Sequence, residues 1–260
     1  MNNSPLSQGL EIESQIDPTE HRYVIGVDEV GRGSWAGPLC VGAVVVEVDA
    51  LLSRANAIWD KESKHDAPLS HLEESMMRIT DSKLLPPQLR SSLIDDIETV
   101  VSEIGLGYVQ AWEIDGLGMT GALALGAQRA MANMDKYLDS SIILLDGNTD
   151  FIGRGEVQTV VKGDRRSFAI ASASIYAKVK RDDQMIRYSD GYPWYRFESN
   201  KGYPSSAHVC AINAMGLSNL HRKSWSYVNK LPWSKVWPSC DPGPSVLHWA
   251  QNSCGFSLSL

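Results

Sequence analysis

Apolar positions recur along the chain with two periods, two residues in some stretches and about 3.6 in others, so short strands alternate with amphipathic helices from Tyr23 onward. YVIGVDEV (Tyr23–Val30) predicts a strand that runs into a glycine-rich turn. PLCVGAVVVEV (Pro38–Val48) is β-branched enough for a second, buried strand, antiparallel to the first across that turn. Residues 50–80 are polar and helix-tolerant, dense in charge around Asp60–Asp66, and read as a surface excursion. After Pro86 and Pro87, Leu89, Leu93, Ile97 and Val101 mark one face of a short helix over Gln88–Val101. GLGYVQAWEI (Gly105–Ile114) predicts a third strand, and Thr120 a cap for a long helix carrying Leu123, Leu125, Ala127, Ala130, Met131 and Met134. SIILLD (Ser141–Asp146) and VQTVVKGD (Val157–Asp164) predict two more strands, each ending on a carboxylate. A helix over Ser167–Arg187 follows, alanine-rich on one side and basic on the other. An antiparallel start followed by strand–helix alternation implies an α/β fold, a mixed sheet with helices packed on it. Residues 1–21 are polar and without periodicity, and are expected to form a flexible arm.

The 260 residues allow one full domain with appendages or two small domains. Apolar residues make up 43% and charged residues 21%, the balance of a globular chain. No apolar run reaches the roughly 18 residues needed to cross a bilayer, and the acidic first twenty residues lack the basic start of an export signal. Cys40, Cys210, Cys240 and Cys254 are far apart, at no zinc or redox spacing. A soluble protein in the reducing cytoplasm is therefore expected.

Net charge is −7, which alone argues against a nucleic-acid partner. Its distribution reverses that. Residues 1–160 carry 11 basic and 25 acidic side chains, whereas residues 161–230 carry 12 and 5. That basic quarter of the chain includes Lys162, Arg165, Arg166, Lys178 and Arg181, candidates for phosphate contacts, with affinity that falls steeply as salt rises.

Three predicted strands end in acid: Asp28 with Glu29, Asp146, and Asp164. Strand ends meeting at one sheet edge bring such side chains together, and carboxylates that close repel unless a hard cation lies between them. A Mg²⁺ or Mn²⁺ site fits this pattern, and pairs of such ions serve in-line phosphoryl displacement. One difficulty stands out. Neighbouring side chains on a regular strand face opposite ways, so Asp28 and Glu29 need the turn at Gly31 and Gly33 to bring both into one site.

These segments together resemble the ribonuclease HII family, the type 2 ribonucleases H of bacteria. The resemblance is carried by IGVDEVGRGSWAGPLCVGAVV (Ile25–Val45), DSK (Asp81–Lys83), LLDGN (Leu144–Asn148), VKGDRRSFAIASASIYAKVKRD (Val161–Asp182), YPWYRFESNKGYPSSAH (Tyr192–His208) and HRKSW (His221–Trp225). It implies a ribonuclease H-like fold with a mixed five-stranded sheet flanked by helices. The catalytic domain would span residues 22–228, with an insertion at about 50–80, and an extra C-terminal helical region of unknown role at 229–260. It further implies that Asp28, Glu29, Asp146 and Asp164 hold two divalent ions. Gly31, Arg32 and Gly33 would read a 2′-hydroxyl, Tyr203 would stack on the deoxyribose after the ribonucleotide, and Lys83 would contact a phosphate. The implied activity is hydrolysis of the RNA strand of RNA–DNA hybrids and cleavage 5′ of single ribonucleotides in duplex DNA, leaving 3′-hydroxyl and 5′-phosphate ends. A monomer is the family expectation, and the sequence gives no signal for or against a sliding-clamp partner. The tail after Tyr227, with Trp233, Trp237 and Trp249, matches no family motif.

Two other readings compete. Gly116, Gly118 and Gly121 formally match a dinucleotide fingerprint, which would make the chain an NAD-dependent oxidoreductase with Asp146 on the ribose. The 25 residues from Gly121 to Asp146 exceed the usual spacing of about 20. A catalytically silent hybrid-binding protein is the other, and it leaves four acidic positions without a purpose.

Overall fold

The computed structural model describes residues 9–64 and 68–231. They contain strands β1 (Tyr23–Val30), β2 (Leu39–Glu47), β3 (Glu103–Val109), β4 (Ser141–Asp146) and β5 (Glu156–Val160). The helices are α1 (Val48–Lys64), α2 (His71–Arg78), α3 (Pro87–Ser92), α4 (Ile94–Val100), α5 (Ala111–Ala130), α6 (Asp135–Leu138), α7 (Phe168–Gly191), α8 (Phe197–Asn200) and α9 (Ser206–Met215). The five strands form one sheet in the order β3-β2-β1-β4-β5. β1 is antiparallel to β2 and β2 to β3, while β1–β4 and β4–β5 are parallel. The expected mixed sheet is thus present. Residues up to Lys223 form one compact unit, and Ser224 begins a second, described only to Leu231.

Strand alternation sorts the core into two layers. Val24, Val44, Val46 and Leu144 face α7 and pack with Ala169, Ile170 and Ala173. Ile25, Val27, Val41, Ala43, Val45, Ile143 and Leu145 face the opposite way and pack with Ala127 and Ala130 of α5 and with Met131, which caps it. On the α7 side the sheet carries no side chain at two central positions. A β-carbon on Gly26 would stand 2.1 Å from the carbonyl carbon of Ala169, and one on Gly42 would stand 2.6 Å from the Ala173 oxygen. The helix therefore lies against the strands' main chain.

Several boundaries differ from the sequence reading. β3 ends at Val109, five residues early, because Gln110 and Glu113 form a reciprocal cap in which the Gln110 amide donates to Glu113 Oε2 at 2.8 Å. Trp112 and Ile114, whose spacing mimicked a strand, sit on the first turn of α5, one exposed and one buried. Thr120 lies inside that helix, which kinks at Gly118 (φ 68°, ψ 172°). The single helix expected over Gln88–Val101 is two, α3 and α4, meeting at Leu93. β5 stops at Val160 because Lys162 takes a left-handed conformation (φ 55°), and Asp164 then falls in the 3₁₀ turn Gly163–Arg165.

Residues 50–80 are more than a surface excursion. Leu51, Ala55 and Ile58 of α1 form a buried stripe at i, i+4, i+7 beneath the charges, and Ser70 caps α2 with Glu73 in a capping box. Residues 9–21 likewise do not hang loose as an arm. Leu10 and Ile12 are buried, and Glu11 grips Arg166 through two hydrogen bonds of 2.6 and 3.0 Å. Of the C-terminal helical region, only a 3₁₀ turn at Val228–Lys230 falls within the described residues, and Trp233, Trp237 and Trp249 lie outside them. No described helix is long and apolar enough to cross a membrane.

Glu13 is fully buried at the start of α7. Its Oε1 accepts from Ser167 Oγ (2.7 Å) and the Ala169 amide (3.0 Å), while Oε2 has no partner. Burial pushes its carboxyl up from 4.5 to about 7 despite those donors. A raised acid binds its proton more tightly in the folded chain, so stability is full below pH 4.5 and falls as pH rises toward 7. Glu13→Gln removes that slope. Urea unfolding is expected to show the variant gaining roughly 3 kcal/mol relative to the parent between pH 4.5 and 7.5. Identical pH slopes in the two proteins would contradict the assignment.

Candidate active site

The parallel pair β1–β4 and the turn after β5 deliver the acidic residues to one end of the sheet. Asp28 pairs with Gly42 and Glu29 with Val41, and the β1–β2 register stays regular through Val30. Asp28 therefore points with Gly26 toward α7, and Glu29 toward the other layer, as the pleat requires. Asp28 is buried, and burial pushes its carboxyl well above the usual range, reinforced by the charges of Glu29 and Asp146 and opposed by the Ser174 hydroxyl. Glu29 is raised by burial too, and its Oε1 accepts from Arg32 Nη1 at 3.3 Å. Asp146 also raises Glu29, so the two carboxylates lie within electrostatic reach despite the opposed faces.

Asp146 ends β4, and its Oδ1 accepts from the Gly163 amide at 2.7 Å. That bond ties the end of β4 to the turn holding Asp164. Burial raises Asp164 to about 6, and Asp81 and Asp146 push it the same way. Asp81 is a fifth carboxylate at this place. Burial would raise it, but the Lys83 amide and the two Arg165 nitrogens at 2.8 and 3.1 Å outweigh that and hold it low. The Asp-Ser-Lys motif thus supplies more than Lys83: Ser82 Oγ lies 3.0 Å from Ser174 Oγ, the hydroxyl beside Asp28.

Among the described residues, no three His, Cys, Asp or Glu side chains stand close enough together to hold an ion as they are. The donor chemistry still fits a hard divalent cation. Asp28, Glu29 and Asp164 are all raised, partly by neighbouring carboxylates, and a cation among them would relieve that repulsion.

The neutral side of the site lies alongside. Gly31 takes φ +87°, a conformation open to glycine, and the turn is closed by Ser34 Oγ donating to the Gly31 carbonyl at 2.9 Å. A β-carbon on Gly33 would stand 3.9 Å from Tyr203 Cε1, so the half-buried ring faces the Gly-Arg-Gly turn across bare main chain. Arg222 Nη1 donates to the Arg32 carbonyl at 2.9 Å, leaving the Arg32 side chain exposed.

The basic residues divide into two groups. Lys83 and Lys162 are exposed near the acidic cluster, Lys83 close enough to lower Asp164. Arg165 is bound to Asp81, Arg166 to Glu11, and Lys178 to Asp182 at 2.8 Å. Arg181, read from the sequence as a phosphate contact, is fully buried and cannot reach one. The glycines of the dinucleotide fingerprint lie inside α5, past the strand-to-helix turn at Gln110 and after an antiparallel edge strand, so they do not form the turn that would cradle a pyrophosphate. That reading is overturned.

Comparison with known proteins places the fold and the sequence together. The sequence model described as Ribonuclease HII matches residues 67–228, a span that includes Asp81, Asp146, Asp164 and Tyr203. A curated ribonuclease HII of Streptomyces coelicolor is 36% identical over 215 residues, covering 82% of this chain and 81% of its own length. The crystal structure of ribonuclease H2 from Pyrococcus horikoshii OT3 superposes with a TM-score of 0.60 at 23% identity, over 80% of this chain and 96% of the other. A Bst-RNase HIII crystallised in complex with Mn²⁺ superposes with a TM-score of 0.58 at 17% identity, over 84% of this chain and 71% of that one.

Proposed function

Because the chain belongs to the ribonuclease HII family, whose members are endonucleolytic hydrolases, we propose that it cuts the RNA strand of RNA–DNA hybrids and cuts 5′ of single ribonucleotides embedded in duplex DNA. The observation that carries this reading is the meeting of two features at one sheet end. Asp28, Glu29, Asp146 and Asp164 act on one another electrostatically there, and the Gly-Arg-Gly turn follows Glu29 within two residues and faces Tyr203.

The four carboxylates would hold two divalent ions, Mg²⁺ or Mn²⁺, and the Mn²⁺ complex of the Bst enzyme supports that choice. Bound there, such ions would supply Lewis-acid activation of a water and charge stabilisation of the leaving 3′-oxygen. The protein's own part is positional. Gly163 fixes the Asp146 carboxylate through its amide, and Arg165 with the Lys83 amide fixes Asp81 beside Asp164. The Gly31–Gly33 main chain, with no β-carbon at Gly33 between it and Tyr203, admits a ribose close enough to read its 2′-hydroxyl. Tyr203 stacks on the deoxyribose that follows. Exposed Lys83 and Lys162 meet phosphates, while Arg165 and Arg166 contribute less because Asp81 and Glu11 already engage them.

A labelled DNA duplex carrying one ribonucleotide, incubated with Mg²⁺, Mn²⁺ or chelator beside an all-DNA duplex, tests the assignment. One cut 5′ of the ribonucleotide is expected, leaving a 3′-hydroxyl, present with metal and absent with chelator. Binding of the ribonucleotide-containing duplex without cleavage under any divalent metal would favour a silent binder instead.

A further inference from the structure

We propose that Arg181 is a positioning residue for substrate choice, holding the Gly31–Gly33 turn and Tyr203 at a fixed spacing from behind the site. This rests on the reading that the turn meets the ribonucleotide and Tyr203 the deoxyribose after it.

Arg181 projects from α7 and has no exposed surface. A guanidinium is tolerated in such a place only when its donors are met, and the acceptors here come from the two substrate-facing segments. Nε donates to the Pro38 carbonyl at 2.8 Å, and Nη2 to Ser34 Oγ at 2.9 Å and the Ala36 carbonyl at 3.4 Å. Nη1 donates to the Lys201 carbonyl at 3.0 Å. The guanidinium carbon lies 5.6 Å from the Tyr203 ring centroid, and a β-carbon on Gly31 would stand 2.3 Å from Nε. One rigid plane therefore touches the turn, the residue two before Tyr203 and the tyrosine ring itself.

A second contact fixes Tyr203 from the other side. The Tyr203 carbonyl lies 2.9 Å from His208 Nδ1, whose Nε2 lies 3.1 Å from His221 Nε2, and His221 Nδ1 accepts from the Ser218 amide at 2.9 Å. These bonds are consistent with one set of tautomers, in which both rings are neutral and His208 donates to Tyr203. Burial lowers both histidines, His221 to about 3. Tyr203 is thus anchored by its main chain on one flank and by the Arg181 face on the other.

Lysine at 181 keeps the charge but loses the fork that spans three carbonyls and a hydroxyl. The test compares kcat/KM on a duplex with one embedded ribonucleotide and on a continuous RNA–DNA hybrid, for the parent, Arg181→Lys, Tyr203→Ala and the double variant. Only the first substrate offers a ribonucleotide followed by a deoxyribose. Arg181→Lys is expected to lower the ratio of embedded to hybrid cleavage at least about fivefold. The double variant should show a ratio no lower than Tyr203→Ala alone, since the two act through one contact. Equal losses on both substrates, or losses that multiply in the double variant, would overturn the proposal. A ratio unchanged in Tyr203→Ala removes the stacking reading, whereas a ratio lowered there and unchanged in Arg181→Lys removes the role of Arg181 alone. Should Arg181→Lys fail to fold, Ser34→Ala and His208→Gln, each altering a side chain that makes two bonds of the frame, are held to the same ratio criterion.

Discussion

Asp146→Asn is expected to lower kcat by at least about 10³-fold while the affinity for a ribonucleotide-containing duplex stays measurable. The asparagine retains an oxygen at the Oδ1 position, so the 2.7 Å bond from the Gly163 amide survives and the turn that carries Asp164 keeps its place. What disappears is the negative charge between Asp28, Glu29 and Asp164, each of which is raised in part by Asp146. Loss of turnover with retained binding separates chemistry from recognition. Cleavage at the parental rate by a folded Asp146→Asn protein would remove Asp146 from the catalytic set and with it the four-carboxylate reading.

The second large effect concerns stability. Gly26→Ala places a methyl group 2.1 Å from the Ala169 carbonyl carbon and 2.4 Å from both the Ala169 oxygen and the Ile170 nitrogen. These are main-chain atoms of the first turn of α7, so no side chain can swing aside. The helix must lift from the strand two residues before Asp28, and a loss of about 3 kcal/mol or more follows. In thermal unfolding this corresponds to a fall of roughly 6–12 °C for a domain of this size. Gly116→Ala is the matched control. No atom lies within 4 Å of its added carbon, and alanine is the better helix former there. A Gly26→Ala protein that melts with the parent would show that α7 does not rest on the β1 main chain.

The contrast between these glycines shows where sequence reading succeeds and where it stops. Strands β1, β2 and β4 are legible because their burial is uniform and β-branched, and period alone identifies them. The boundary at Gln110 is not, because Trp112 and Ile114 fit either period and only the Gln110–Glu113 cap decides between them. α1 is hidden for a related reason: six charged side chains conceal the buried stripe of Leu51, Ala55 and Ile58. In the site, the acidic residues at strand ends are readable as residue types, and the resemblance to a family assigns them. Asp81 escapes notice because its role depends on Asp164, 83 positions away in sequence, and Arg181 is misread because a basic residue on a basic helix looks like surface. Burial of a charge is a property of the fold, and no local pattern announces it.

The Gly-Arg-Gly loop is held by residues far along the chain: the Gly37 amide donates to the Leu220 carbonyl, the Arg222 amide to the Trp35 carbonyl, and Arg222 Nε reaches the Gly37 carbonyl from 185 positions away. During synthesis the loop emerges long before the segment that secures it. At roughly 5–20 residues per second, about 10–40 s separate the two. Throughout that interval the nascent chain already displays Asp28, Glu29 and the glycines, but without the residues that hold the loop in place. On the proposed reading of the Gly-Arg-Gly turn, discrimination between ribose and deoxyribose is therefore acquired at a late and definite moment, when residue 222 clears the ribosome, and a chain truncated before that point is expected to lack that selectivity.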